Sequence, residues 1–325
     1  MILAGDVGGT KTLLGLFERD DRRPRPVAIR SYRTNEFVSF TDILNAFARD
    51  IGRPFVVDAA AAGVAGPVVG DTARLTNIDW DVNAAEIRGR FDTPRAQLLN
   101  DLEAMANGAS VLTADELVVL QDSAARPEGN AAIIAAGTGL GEAYLHRVGG
   151  RLRPVPSEGG HADFAPRTDR EIDFLRMLRA DYGRAEVEHV LSGPGLLNLH
   201  RFTHEGRECP SIRGLDAIEA PAGVSQAALE RRCPSCVEAL EMFVSAYGAE
   251  AGNLALRGVA TAGVFVGGGI APKILPALKN GRFMAAFRAK GPMSELVSRI
   301  PVMVILNAET GLLGAAVYAQ ELAGG

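Results

Sequence analysis

The sequence predicts an α/β protein of two domains, with mixed sheets flanked by helices and a cleft between the domains. Three observations carry that prediction. The chain has 325 residues, more than one hydrophobic core usually serves. Short apolar runs alternate with helical stretches along most of it. A strand, glycine turn, strand unit stands at the front of each half, which reads as a distant internal duplication. The expected boundaries are a small α/β domain at 1–110 plus 308–325 and a larger α+β domain at 111–307.

Each element has its own signal. Met1-Ile2-Leu3-Ala4, Leu13 to Phe17 and Val27-Ala28-Ile29 are three short apolar runs separated by tight turns, and they read as an antiparallel meander. From Thr41 to Ile51 the apolar residues Ile43, Leu44, Phe47 and Ala48 recur at helical spacing, with Asp42 near the start. Phe55-Val56-Val57 and then Ala59 to Val64 read as a buried strand closed by Ala65-Gly66-Pro67, and Ala96 to Leu99 as another. The second series opens with strands at Ala131 to Ala135 and Ala143 to Leu145. Helices dominate from Arg170 to Arg257, the clearest being Val237 to Leu256, closed by Gly258. Val264 to Val266 and Val302 to Leu306 are strands, and Thr310 to Leu322 is the last helix.

Composition excludes several classes. With 47% apolar and 22% charged residues the chain is an ordinary globular one. A formal charge of −5 and no Lys/Arg cluster give no electrostatic reason for nucleic acid or an anionic membrane as partner; the run at 22–25 follows two aspartates and reads as a solvated turn. No segment reaches the ~18 apolar residues of a membrane helix, and no signal peptide opens the chain. Three cysteines are too few for a disulfide scaffold and fit a reducing cytoplasm.

Gly5-Asp6-Val7-Gly8-Gly9-Thr10-Lys11-Thr12 nearly matches the P-loop pattern, but Thr10 replaces its second glycine and a strand follows where a helix is required. Neither glycine cluster fits the dinucleotide fingerprint. Taken alone, either turn is equally well a hairpin using glycine for its backbone freedom. Together, the turns at Gly8-Gly9-Thr10 and Gly137-Thr138-Gly139 offer bare backbone N–H groups and two threonine hydroxyls, a pair of cradles for a polyphosphate. Asp6 supplies a carboxylate suited to Mg²⁺ through water. A third turn, Gly267-Gly268-Gly269, would let a flat base lie against backbone.

Two phosphate motifs and one adenosine motif in this order resemble the sugar-kinase, actin-like ATPase superfamily, whose ribonuclease H-like fold the chain is then expected to share. Leu99 to Ala104, Gly137 to Gly141, Ser157 to Pro166, Val190 to Leu196 and Gly263 to Ile270 together resemble the bacterial ATP-dependent glucokinase family over nearly the whole chain. Lys11 departs from the asparagine common there and matches the neighbouring ROK kinases. The resemblance implies ATP and Mg²⁺ as cofactors, glucose as acceptor, and Asp6, Gly8, Gly9, Thr10, Lys11, Gly137, Thr138, Gly139, Gly267, Gly268 and Gly269 at the nucleotide. It also implies that Asn100, Asp101, Glu158, His161 and Glu188 bind hexose hydroxyls. Asn77, shortly before Trp80, is read as a further contact or equally as a turn asparagine.

The residues support that reading in part. Asn100-Asp101 ends a predicted strand and opens a predicted helix. A carboxylate there is held ionised by the helix N–H groups and can take the proton of a sugar hydroxyl as it attacks phosphorus, although a plain helix cap has the same signature. Glu158 and His161 flank two glycines, so a helical Glu-x-x-His metal motif is not expected. Glu188 also suits a solvated helix charge. Cys233-Pro234-Ser235-Cys236 invites a zinc reading, but Cys209, His204 and His200 form no second close pair, so two half-buried thiols at a Pro-initiated helix are expected.

The expected activity is direct phosphoryl transfer from ATP to glucose with Asp101 as general base, with sugar-driven closure limiting hydrolysis. The alternative is a ROK-type kinase for fructose, mannose or an N-acetylhexosamine. That group usually carries a cysteine-rich zinc motif after Glu-Gly-Gly-His, whereas 162–208 contains no cysteine. A DNA-binding regulator is not expected, since only five residues precede Asp6, and the polar sugar constellation disfavours an actin-like filament. A homodimer is the expected assembly.

Overall fold

The structure is a computed structural model and describes residues 1–75, 78, 80–123 and 128–324. It divides into two compact units, Met1–Thr113 with Asn307–Gly325, and Ala114–Leu306.

The first unit begins with the meander. β1 (Ile2–Val7), β2 (Lys11–Glu18) and β3 (Arg25–Arg33) pair antiparallel in sequence. Helix α1 (Phe40–Ile51) follows, capped by the Ser39 hydroxyl accepting from Asp42 N–H, and it buries Ile43, Leu44 and Phe47 completely. β4 (Ala59–Val64) then enters parallel to β1, and all six of its residues are buried. The strand expected at 55–57 does not form. Val56 is 75% exposed, and Phe55 stacks its ring on Phe47 and Phe91 instead, so side-chain packing replaces a ladder there.

A small antiparallel sheet of β5 (Val68–Val69), β6 (Thr72–Arg74) and β7 (Asp81–Asn83) leads into α2 (Ala84–Phe91), which Asn83 and Glu86 close as a capping box. β8 (Ala96–Asn100) returns parallel to β4, and α3 (Asp101–Ala109) starts where it stops. The main sheet thus has the order β3-β2-β1-β4-β8. The C-terminal helix, Thr310–Gly324, packs Leu312, Ala315, Ala316 and Ala319 on Ile2, Ala4, Leu13 and Phe17. It crosses α3 with backbones touching, since a Cβ on Gly314 would fall 1.7 Å from the Ala104 carbonyl oxygen.

The second unit repeats the plan. Its strands are β9 (Leu117–Gln121), β10 (Ala131–Ala136), β11 (Leu140–Val148), β12 (Arg151–Ser157), β13 (Gly263–Gly267) and β14 (Val302–Ile305). They lie in the order β12-β11-β10-β13-β14-β9. The first five match the order and the antiparallel, antiparallel, parallel, parallel sense of the first unit's sheet. Each sheet therefore places a glycine hairpin at the same point, between its second and third strands, which is the structural form of the duplication. The helices α4 (Asp169–Tyr182), α5 (Gly193–His204), α6 (Ala220–Leu229) and α7 (Pro234–Gly258) enclose the core around Phe174, Leu199, Phe243 and Tyr247. α7 ends at Gly258, as expected, although the left-handed position falls one residue later. Gly258 is the last helical residue, pressed against the Tyr144 ring, and Val259 takes the left-handed position at φ 45°. Among the described residues no helix is long and apolar enough to cross a membrane.

Candidate functional site

In the first unit, the hairpin from β1 to β2 holds Gly8, Gly9, Thr10 and Lys11 at its tip. Gly8 N–H donates to the Lys11 carbonyl at 3.0 Å, and the Thr34 hydroxyl donates to the Gly8 carbonyl at 2.7 Å. Thr34 was not foreseen; nothing near it in sequence marks a brace across 26 residues. Thr10 and Lys11 are exposed and Gly8 and Gly9 half-buried, leaving the tip open.

Asp6 is the last but one residue of β1 and stands beside Gly63 of β4, whose neighbour Val64 pairs with Asn100 of β8. Asp6 and Asp101 therefore both sit at the carboxyl ends of parallel strands, with one strand between them and about 10 Å between strand axes. Burial first, and the negative charge of Asp101 second, push the Asp6 carboxyl up to about 6, while Lys11 pulls it back. Gly311, in the first turn of the C-terminal helix, closes the other side: a Cβ there would lie 3.1 Å from Asp6 Oδ2. Asn100 caps α3, its Oδ1 accepting from Leu102 N–H at 3.0 Å while its Nδ2 donates to the Gly66 carbonyl. Asp101 is the first helical residue, exposed, with Oδ1 also accepting from Leu102 N–H at 2.8 Å. Asn77 lies outside the described residues.

In the second unit, Gly137-Thr138-Gly139 is the β10–β11 turn, and Glu188 underlies it. Glu188 Oε2 accepts from Leu140 N–H at 2.7 Å, and a Cβ on Gly139 would come 2.6 Å from that oxygen. Glu188 is thus not a solvated helix charge; one of its oxygens holds the turn. The Val190 to Leu196 motif is the N-terminus of α5. Ser192 caps it by accepting from Gly195 N–H, and Gly193 N–H donates to the Gly137 carbonyl at 2.8 Å. The third glycine turn adjoins the same place, with Ile270 N–H donating to the Ala136 carbonyl. Tyr247, fully buried on α7, joins the two turns: its hydroxyl accepts from Ala136 N–H and donates to the Gly267 carbonyl, both at 3.2 Å. In the sequence Tyr247 is only one of a row along one face of the helix expected at 237–256, with Leu240, Val244, Ala251 and Leu254.

Glu158 and His161 lie at either end of a short 3₁₀ turn, Gly159–His161, and both are exposed. The two glycines are required by close approach. A Cβ on Gly159 would meet Glu142 Oε2 at 2.2 Å, and one on Gly160 the Leu140 carbonyl at 2.3 Å. Glu142 is itself buried; burial first and the nearby Glu250 second push it up to about 8, while Arg257 pulls it back. The turn is stitched to the Glu188 segment by Glu188 N–H to the Gly160 carbonyl and Val187 N–H to the Ala162 carbonyl. Glu186, absent from the sequence reading, accepts from His161 Nδ1 at 2.7 Å and also binds Arg184. The hydrogen bond to Glu186 raises the His161 imidazole above its usual range and lowers Glu186. With Nδ1 committed, Nε2 is the ring atom left for a ligand.

The unit also gathers residues read as unrelated. His204 and Cys209 come up to Cys233 and Cys236, with His200 beside them. A spacing argument could not foresee this, because the loop after α5 and the start of α7 meet only in the folded unit.

The glucokinase family profile matches residues 3–322. A glucokinase of Synechocystis sp. is 40% identical, with 98% of each chain covered. Among solved structures, a glucokinase from an Antarctic psychrotroph superposes with a TM-score of 0.87 at 30% identity, covering 98% of each chain. A ROK family glucokinase from Streptomyces griseus, in complex with glucose and AMPPNP, reaches 0.64 at 21% identity over 98% and 99% of the two chains, a likeness of fold.

Proposed function

The chain belongs to the glucokinase family, and on that footing we propose that it transfers the γ-phosphoryl group of ATP directly to the primary hydroxyl of glucose. The observation that carries the proposal is the placement of Asp6 and Asp101 at the carboxyl ends of parallel strands of one sheet, with a single strand between them. Asp101 is exposed at the first turn of α3, where helix N–H groups favour negative charge, and it accepts the proton leaving the sugar oxygen. No covalent intermediate on the protein is needed; positioning and charge stabilisation lower the barrier.

The glycine turns at Gly8-Gly9-Thr10 and Gly137-Thr138-Gly139 present backbone N–H groups and hydroxyls to phosphate oxygens, with Lys11 beside the first. The turn at Gly267-Gly268-Gly269 receives the base. Asp6 fits a magnesium ion through water, because it is a hard carboxylate whose repulsion by Asp101 a cation would relieve. When bound with the nucleotide, that ion supplies neutralisation of phosphate charge. Glu158, His161 through Nε2, Asn100 and the second oxygen of Glu188 hold the hexose hydroxyls.

Asp101→Asn tests the assignment. Turnover should fall about 10²–10⁴-fold while ATP still binds. Turnover within a few-fold of the parent would reject Asp101 as base. A panel of glucose, mannose, fructose and N-acetylglucosamine in a coupled ADP assay tests the acceptor; preference for any but glucose would replace it. The proposed location is the cytoplasm, which a chain with only three cysteines, too few for a disulfide scaffold, supports. The proposed assembly is a homodimer, which sedimentation velocity would check.

A further inference from the structure

The thiol and imidazole cluster of the second unit plays no part in phosphoryl transfer. Its geometry is that of a metal centre. His204 Nε2 lies 3.3 Å from Cys233 Sγ and 4.0 Å from Cys236 Sγ, and Cys209 Sγ lies 3.7 Å from Cys236 Sγ. A tetrahedral zinc ion with thiolates at about 2.3 Å and imidazole at about 2.0–2.1 Å sets its ligand atoms about 3.6–3.8 Å apart, the middle of that range. We propose that His204, Cys209, Cys233 and Cys236 bind one structural zinc ion.

The surroundings are built for it. His204 Nδ1 donates to the His200 carbonyl at 2.7 Å, which leaves the lone pair on Nε2, facing the sulfurs. His204, Cys209 and Cys236 are 5%, 7% and 0% exposed, so the centre is closed to solvent on most sides. His200 stacks its ring on that of His204 at 3.8 Å, its Nε2 is buried without a hydrogen-bond partner, and with His204, Cys209 and Cys236 it forms a group whose ligand atoms all lie within 4.8 Å of one another. Cys233 stands at the N-cap position of α7 and Cys236 in its first turn, so one helix start delivers two of the sulfurs. Four protein ligands leave no open position, so the ion is a staple and carries no chemistry.

What it staples explains why it matters. α5 begins at the Gly137 turn and ends at His204, about 18 Å away. α7 begins at Cys233 and carries Tyr247, the bridge between the turns at 137 and 267. The ion ties the far ends of both helices, and so fixes two supports of the proposed nucleotide pocket.

The test uses the full chain, purified without chelator or metal-affinity resin, with zinc measured by plasma mass spectrometry. About one zinc per chain is expected, falling at least tenfold in Cys233→Ser. Stripping the ion with chelator under reductant should lower the thermal midpoint by several degrees, and adding Zn²⁺ should restore it. Titrating the reduced, stripped parent with Co²⁺ reads the site even if the variant does not fold; the visible bands of tetrahedral thiolate-bound cobalt should saturate at one equivalent. Two results would overturn the proposal: no zinc in the isolated chain together with no such bands on titration, or a Cys209–Cys236 disulfide as the main species in chain alkylated at lysis.

Discussion

Asp6→Asn should stabilise the ligand-free chain above neutrality while removing its activity. An aspartate that ionises near 3.8 in the unfolded chain ionises near 6 in the folded one, held up by burial and by Asp101. At about 1.4 kcal/mol per pH unit, keeping that carboxylate ionised costs the folded state about 3 kcal/mol. The sign follows from which state binds the proton more tightly. Well below 3.8 both states are protonated and nothing is lost; from there to 6 the folded state is progressively penalised; well above 6 the penalty is constant. Asparagine mimics the protonated acid and removes the penalty. Its gain should be small at pH 4, about 0.5 kcal/mol, and full at pH 8, where it raises the thermal midpoint by roughly 6–12 °C. Calorimetry of parent and variant at both pH values, in EDTA, measures it. Mg·ATP should then raise the midpoint of the parent but not of the variant. An equal effect at both pH values, or a loss of stability at pH 8, would refute an electrostatic cost at Asp6. The trade is one of stability for function at a charged site.

Three other substitutions probe the supports. Gly314→Ala puts a methyl group into the Ala104 carbonyl and should cost about 1–3 kcal/mol or more, read as a lower denaturation midpoint. Glu188→Ala frees the Gly137 to Gly139 turn and should raise KM for ATP about tenfold or more, whereas Glu188→Gln keeps an acceptor for Leu140 N–H and should weaken glucose alone; steady-state kinetics with each substrate varied separates the two. Tyr247→Phe leaves Ala136 N–H buried without its acceptor and should cost about 1–3 kcal/mol in urea unfolding, with a weaker nucleotide KM.

Much of the fold was legible because its signals are local. Apolar runs bounded by glycine turns mark β1, β2, β10 and β11, since a strand buried on both faces needs a continuous apolar run and a tight turn needs glycine. The helical period marks α1 and α7. Asp101 stood out through its place at a strand-to-helix junction. Less visible were elements decided by packing, such as the small sheet of β5 to β7, and the failure of 55–57 to pair while Phe55 found aromatic partners.

By itself, the sequence determined the chemistry available and its order along the chain: two bare-backbone turns, a carboxylate at a helix start, and a Glu-Gly-Gly-His turn. Tertiary structure alone decided what those groups do to each other. Asp6 is pushed up because a parallel sheet brings Asp101 within Coulomb range across more than ninety residues. Glu188 became a brace because its segment is stitched to the 3₁₀ turn, and four scattered thiol and imidazole groups became one cluster because α5 and α7 converge at their ends. Burial and electrostatics depend on distance in space, and spacing along a chain reports that distance only within a turn or two.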